Sequence, residues 1–336
     1  MSLGPGPGRS KHLLVGLLAG SLWTAAPIAS AQTPAEIAIL SPGSGPVEIV
    51  AGPDGGIWFT EQHGDRIGRV TPCGALTEFD LPVPGSFPRG IAVGPDGNLW
   101  ITELTGKIGR ITPAGAITEF TIPGGVSEPI EIASGPDGNL WFTEYYNRIG
   151  RITPLGVVTL FSVPTPSSAP RFIAAGPDGN LWFTESGADR IGRITVEGLI
   201  SEFVLPPGSQ PLGIVAGPDG NLWFAEYSTN RIGRMTVSGS LTESPIPTAN
   251  SGPSVITVVD GNIWFSENAA NQVAQVTPGA PIREFGVPIP ASGPFGISEG
   301  PDRNVWFTEF AADRIARLRI SLSRPCTRVV PSRPPQ

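Results

Sequence analysis

Short apolar runs separated by glycine and proline recur along most of the chain, and each is too brief for a stable helix. In one copy Arg171-Phe172-Ile173-Ala174-Ala175 leads into Gly176-Pro177-Asp178-Gly179, then Asn180-Leu181-Trp182-Phe183-Thr184-Glu185 and, after a short gap, Arg190-Ile191-Gly192-Arg193-Ile194-Thr195. Proline pre-sets the second position of a tight turn and glycine tolerates positive φ, so Gly-Pro-Asp-Gly predicts a turn between two strands. The Leu-Trp-Phe run lacks clean alternation, as expected of a strand covered on both faces. A second turn, such as Thr153-Pro154-Leu155-Gly156, leads into an outer strand like Ala116-Ile117-Thr118-Glu119-Phe120. Each copy therefore predicts four strands, with proline-rich connectors such as Leu205-Pro206-Pro207-Gly208 carrying the chain to the next.

The copies are marked by Trp58, Trp100, Trp141, Trp182, Trp223, Trp264 and Trp306, at intervals of 42, 41, 41, 41, 41 and 42 residues. A four-stranded unit of about 40 residues is the size of a propeller blade. The predicted fold is all-β, a seven-bladed β-propeller over residues 32–320, with the tryptophans as packing between blades. The last repeat stops one strand short at Arg314–Ile320, whereas Ala35–Leu40 precedes the first complete repeat and has the pattern of an outer strand. That N-terminal strand is expected to complete blade seven and close the ring, which removes exposed sheet edges. Strand alternation places the connectors and the loops between second and third strands on one rim, and both kinds of tight turn on the other. Function at the channel mouth belongs on the first rim.

The 44 glycines and 38 prolines among 336 residues fall at fixed points of the repeat, so they punctuate strands. Residues 1–31 carry Arg9 and Lys11, the apolar run Leu13–Gly20 and the exit Ala29-Ser30-Ala31. These are the parts of a secretory signal peptide, and the apolar run is too short to span a membrane. A membrane anchor is the alternative reading. Removal of this segment moves the formal charge from −7 to −9, since Arg9 and Lys11 are lost. An acidic domain with no basic stripe argues against nucleic acid or an anionic membrane as partner. The expectation is a secreted monomer, periplasmic or extracellular, ending in a Pro/Arg-rich tail over residues 321–336. Two cysteines in a secreted chain suggest one disulfide, Cys73–Cys326, pinning that tail beside the closure seam.

Glutamate stands three places after each repeat tryptophan, at Glu61, Glu103, Glu144, Glu185, Glu226, Glu267 and Glu309. Seven copies exceed the needs of any one metal site, and all but Glu267 precede an arginine or lysine at the start of the next strand. A repeated cross-strand ion pair is the expected role. Copies differ just after the proline that opens each inner strand. There and beside it Glu48, Arg89, Glu128, Glu131 and Arg171 put both signs of charge on the rim of blades one to four, either as mutual salt bridges around a wet channel or as a ligand site. Ser254 and Phe295 hold the corresponding positions of blades six and seven. Outside the signal segment the chain has a single histidine, His63, and neither a Ser-His-Asp triad nor a His-based metal site is expected.

The repeat Gly-Pro-Asp-Gly-Asn-Leu-Trp-Phe-Thr-Glu followed by Arg-Ile-Gly-Arg-Ile-Thr-Pro, with Pro-x-x-Ile before it, resembles the virginiamycin B lyase (streptogramin lyase) family over about residues 35–320. The resemblance implies a seven-bladed propeller and a Mg-assisted elimination that opens cyclic type B streptogramins at the ester C–O bond. It places histidines at the positions of Ser254 and Phe295, a glutamate at Gly293 and another at Glu309; only Glu309 matches, in a type shared by all seven repeats. Three readings follow. In the first the rim binds a small molecule, peptide or glycan without catalysis. In the second the chain is a Mg-dependent carbon–oxygen lyase for another cyclic ester, with Glu309 or Glu267 as base and Glu309 as metal ligand, and antibiotic resistance as the consequence. The third is a metal-dependent lactone hydrolase.

Overall fold

The computed structural model describes Met1, Ser2, Gly4 and residues 34–277 and 280–320. Met1–Ala31 and Gln32–Gln336 divide as two units, and the fold is that of the second. Most of the expected signal segment, and the tail with Cys326, lie outside the described residues.

Among the described residues every regular element is a strand, and these form seven four-stranded antiparallel sheets in a ring. Blade one shows the plan: Pro46–Ala51 innermost, then Ile57–Glu61, Arg66–Val70 and Leu76–Asp80. Blade seven takes Pro294–Glu299, Val305–Glu309 and Arg314–Leu318 from the end of the chain and its outer strand, Ala35–Ala38, from the beginning. Ala35 stands opposite Arg317 and Ala38 opposite Arg314, so the ring closes as the sequence predicts, with the closing strand two residues shorter than expected.

Each second strand is buried along its whole length, except for the first residue of the longer one in blade six, which explains its unbroken apolar pattern. Trp58 stacks on Phe79 of its own blade at 5.3 Å and packs with Ile91 and Leu99 of blade two. Trp306 meets Ile49 and Phe59 of blade one, and Ile39 joins that cluster across the seam. The third strand comes so close to the second that a Cβ on Gly68 would lie 2.0 Å from the Phe59 ring.

The turn aspartates perform a task the sequence did not reveal. Asp54 Oδ1 accepts from the Trp58 indole N–H at 2.9 Å, while Oδ2 pairs with Arg69, whose guanidinium lies 5.8 Å from the indole centroid. In blade five the same arrangement, against the burial that would raise it, draws the Asp219 carboxyl down to about 2 through hydrogen bonds from Trp223, Arg234 and Asn221. Blade six has a shorter turn at Asp260-Gly261 and Gln275 in place of the arginine, and there the Trp264 indole N–H is buried without a partner.

Candidate functional site

Backbone hydrogen bonds tie each connector to the loop between second and third strands, as from His63 N to Ser44 O and from Ala269 N to Ser251 O. These segments therefore form one rim, where a cavity of about 320 Å³ opens at the channel mouth. Val47, Arg89, Leu212, Ser254 and Phe295 line it from the starts of inner strands. Gln62, Tyr227, Asn268 and Phe310 complete the wall from the loops, each directly after a repeat glutamate. Those four loop residues were not among the sequence candidates, although they too stand where the copies differ.

Of the seven rim candidates, three meet in this cavity: Arg89, Ser254 and Phe295. Ser254 is buried and its hydroxyl donates to Gly252 O at 3.0 Å. Arg89 lies with its guanidinium 5.9 Å from the Phe295 ring centroid, in cation–π range. Glu48 and Glu131 are buried one residue further along their strands, close enough to Arg89 to act on it electrostatically, as Glu128 and Arg171 also do. Burial, reinforced by Glu131, holds the Glu48 carboxyl well above its ordinary value, and burial lifts Glu131 to about 8. Arg171 instead covers Tyr145, 5.0 Å from the ring centroid. Tyr145 also lines a second hollow of about 370 Å³ with Tyr146, Asn147, Ser167 and Ala169.

Glu267 and Glu309, expected as base or metal ligand, are completely buried at the ends of their strands and do not line the cavity. Burial lifts Glu267 to about 7, with Glu284 adding to the effect. Glu309 is raised to about 7 by burial and by Glu36. The expected ion pairs need a correction. Glu61 does face Arg66 in the ladder, yet Arg66 pairs with Asp80 on the fourth strand. Lys107, Arg190, Arg231 and Arg314 likewise reach Glu119, Glu202, Glu243 and Glu36. The fourth-strand carboxylates are nearer solvent, so an ion pair there costs less desolvation than one at the sealed repeat glutamate. In blade three the fourth strand offers Leu160 where the other blades have glutamate, and there Arg148 does pair with Glu144.

The cavity wall does not fit the magnesium that the family resemblance implies. Mg²⁺ is held through carboxylate oxygens, and the wall offers amides and hydroxyls beside the positive charge of Arg89. Among the described residues no group of three or more His, Cys, Asp or Glu side chains is arranged to hold a metal ion. Cys73, in the turn after the third strand of blade one, is disulfide-bonded; its proposed partner Cys326 lies outside the described residues.

The profile of the Virginiamycin B lyase family matches residues 26–170 and 146–323. A solved streptogramin B lyase is 37% identical with a TM-score of 0.82, over 85% of this chain and 97% of that one. A catalytically inactive histidine-to-alanine virginiamycin B lyase from Staphylococcus aureus, solved with quinupristin, is 39% identical at the same TM-score, over 86% and 99%. Hydrazine synthase from Kuenenia stuttgartiensis, at 16% identity and TM-score 0.72 over 85% and 98%, shares the fold alone. A search of curated proteins gave no match. Matched along nearly all of its repeats, the chain belongs to the virginiamycin B lyase family.

Proposed function

We propose that this family member is a secreted monomer that binds a small molecule, peptide or glycan in the channel-mouth cavity and does not open it. The observation that carries this reading is the pairing of Ser254 with Phe295 on the cavity wall, at the positions where the family resemblance implies histidines. A general base contributes typically 10²–10⁴-fold to such a reaction. Neither a hydroxyl bound to Gly252 O nor a phenyl ring can take a proton in that role. Glu267 and Glu309 are tuned near neutrality but sealed beneath the loops, out of reach of a ligand. The wall is otherwise suited to holding an apolar body, with Val47, Leu212, Phe295 and Phe310 around it.

One observation favours a second reading. Identity of 37–39% to solved lyases over most of the chain supports a carbon–oxygen lyase acting on a different cyclic ester. That reading requires Glu309 or Glu267 to leave its buried position and act at the mouth.

Restoring the family pattern tests the proposal. The triple variant Ser254→His, Phe295→His, Gly293→Glu is expected to give at most trace opening of a type B streptogramin, because Arg89 still puts charge where an apolar cyclic peptide docks. Rapid turnover by that variant would show a lyase site lacking only its base, whereas turnover by the unmodified protein would overturn the binding reading.

A further inference from the structure

Most arginines of this propeller are matched by a carboxylate or a carbonyl oxygen: Arg69 with Asp54, Arg231 with Glu243, Arg317 with Asp302 and Pro72 O. Arg89 is different. Its guanidinium lines the channel-mouth cavity, rests against the Phe295 ring and makes no side-chain hydrogen bond or ion pair within 4.0 Å among the described residues. A guanidinium carries five donors in a planar fork and stays charged in proteins, so an unmatched one in a largely apolar wall is a site waiting for an anion.

The neighbouring acids do not take up these donors. Glu48 and Glu131 are both buried, and Glu48 Oε1 has no hydrogen-bond partner. Neither carboxyl comes within 4.0 Å of the guanidinium, and burial holds both above their ordinary range, which disfavours the charged form that would pair with Arg89. Around it the wall is built for an apolar or aromatic body, with Phe295, Phe310, Tyr227, Leu212 and Val47.

Resting on the binding reading above, we propose that the cavity selects ligands that carry one anionic group, a carboxylate or sulfonate, on an aromatic or otherwise apolar body, with Arg89 as the anion's partner. The anion accepts from the guanidinium fork while the body fills the space between Phe295, Phe310 and Leu212. A neutral molecule of the same shape keeps the apolar contacts and loses the charge-assisted hydrogen bonds.

Two fluorescent probes separate these contributions: anilinonaphthalene sulfonate, and phenylnaphthylamine, which has the same aromatic body without the anion. The full chain is expected to bind the sulfonate at one saturable site about tenfold more tightly than the neutral probe. Arg89→Gln should bring the two affinities together, and Arg89→Lys should keep part of the preference. Equal affinity for the two probes, or a preference that survives Arg89→Gln, overturns the anion assignment while leaving the cavity as a binding site. If Ser254→Trp, which fills the cavity, changes affinity for neither probe, the binding reading itself fails.

Discussion

Arg314 stands directly opposite Glu309 in the ladder of blade seven, yet its guanidinium passes that carboxyl and meets Glu36, 3.8 Å away on the N-terminal strand. The ion pair therefore crosses the closure seam. It is partly exposed and contributes at most about 1 kcal/mol. The apolar contacts of the same segment matter more, since Ile37 and Ile39 pack with Ile49, Val70 and Ile315. Deleting residues 32–41 removes both and strips the outer edge of blade seven. The melting temperature should fall by at least about 5 °C, whereas Glu36→Gln should shift it little. A deletion variant as stable as the parent would contradict closure by this strand.

Six repeat glutamates are held above the ordinary carboxyl value: Glu61 and Glu185 at about 8, and Glu103, Glu226, Glu267 and Glu309 at about 7. Burial is the main cause in each. In the folded state they bind protons that the unfolded chain releases, so their contribution to stability is fully present below the unfolded value near 4.5 and is lost as pH rises through about 7 to 8. Thermal melts should therefore show higher stability at about pH 5 than at about pH 8.5. Glu267→Gln, at a site with no base opposite it, should weaken that dependence by raising stability on the alkaline side. Stability that is flat or increases between these two conditions would refute the assignment.

The tryptophan anchors give a matched comparison. Trp182 donates to Asp178 at 3.0 Å, whereas the Trp264 indole N–H has no partner. Trp182→Phe and Trp264→Phe remove the same ring atoms, but only the first also breaks a hydrogen bond. Urea unfolding should show Trp182→Phe to be costlier by roughly 1 kcal/mol. Equal losses would mean that the indole–aspartate bond adds nothing.

The proposed tail bridge is checked chemically. If Cys73 and Cys326 are joined, protein purified from an oxidising compartment shows no free thiol under denaturing conditions, and peptide mapping finds the two linked. Two titratable thiols would end the proposal.

Much of this architecture was legible in the residues. The tryptophan period, the turn prolines and the orphan strand at Ala35 together specify seven blades and the closure of the ring. The partners of Arg66 and Arg314 were not legible, because pattern reasoning compares neighbours across one hairpin and these side chains reach the fourth strand. The role of the turn aspartates was hidden for a related reason. Gly-Pro-Asp-Gly is sufficiently explained as turn chemistry, so nothing directs attention to the indole below it. The cavity was half visible: Arg89, Ser254 and Phe295 stood out as departures from the repeat. Gln62, Tyr227, Asn268 and Phe310 departed just as clearly at the position after each repeat glutamate, but that glutamate, read as half of a repeated cross-strand ion pair, marked the strand end as structural and hid its neighbour.

The most direct test of the central claim, that the cavity binds without lyase chemistry, is mass spectrometry of a type B streptogramin such as quinupristin after incubation with the unmodified protein and Mg²⁺. The account predicts that the cyclic ester is recovered intact, with no linear product. Robust linearisation would contradict it, and would direct mutagenesis to Glu309→Gln and Glu267→Gln as tests of the base.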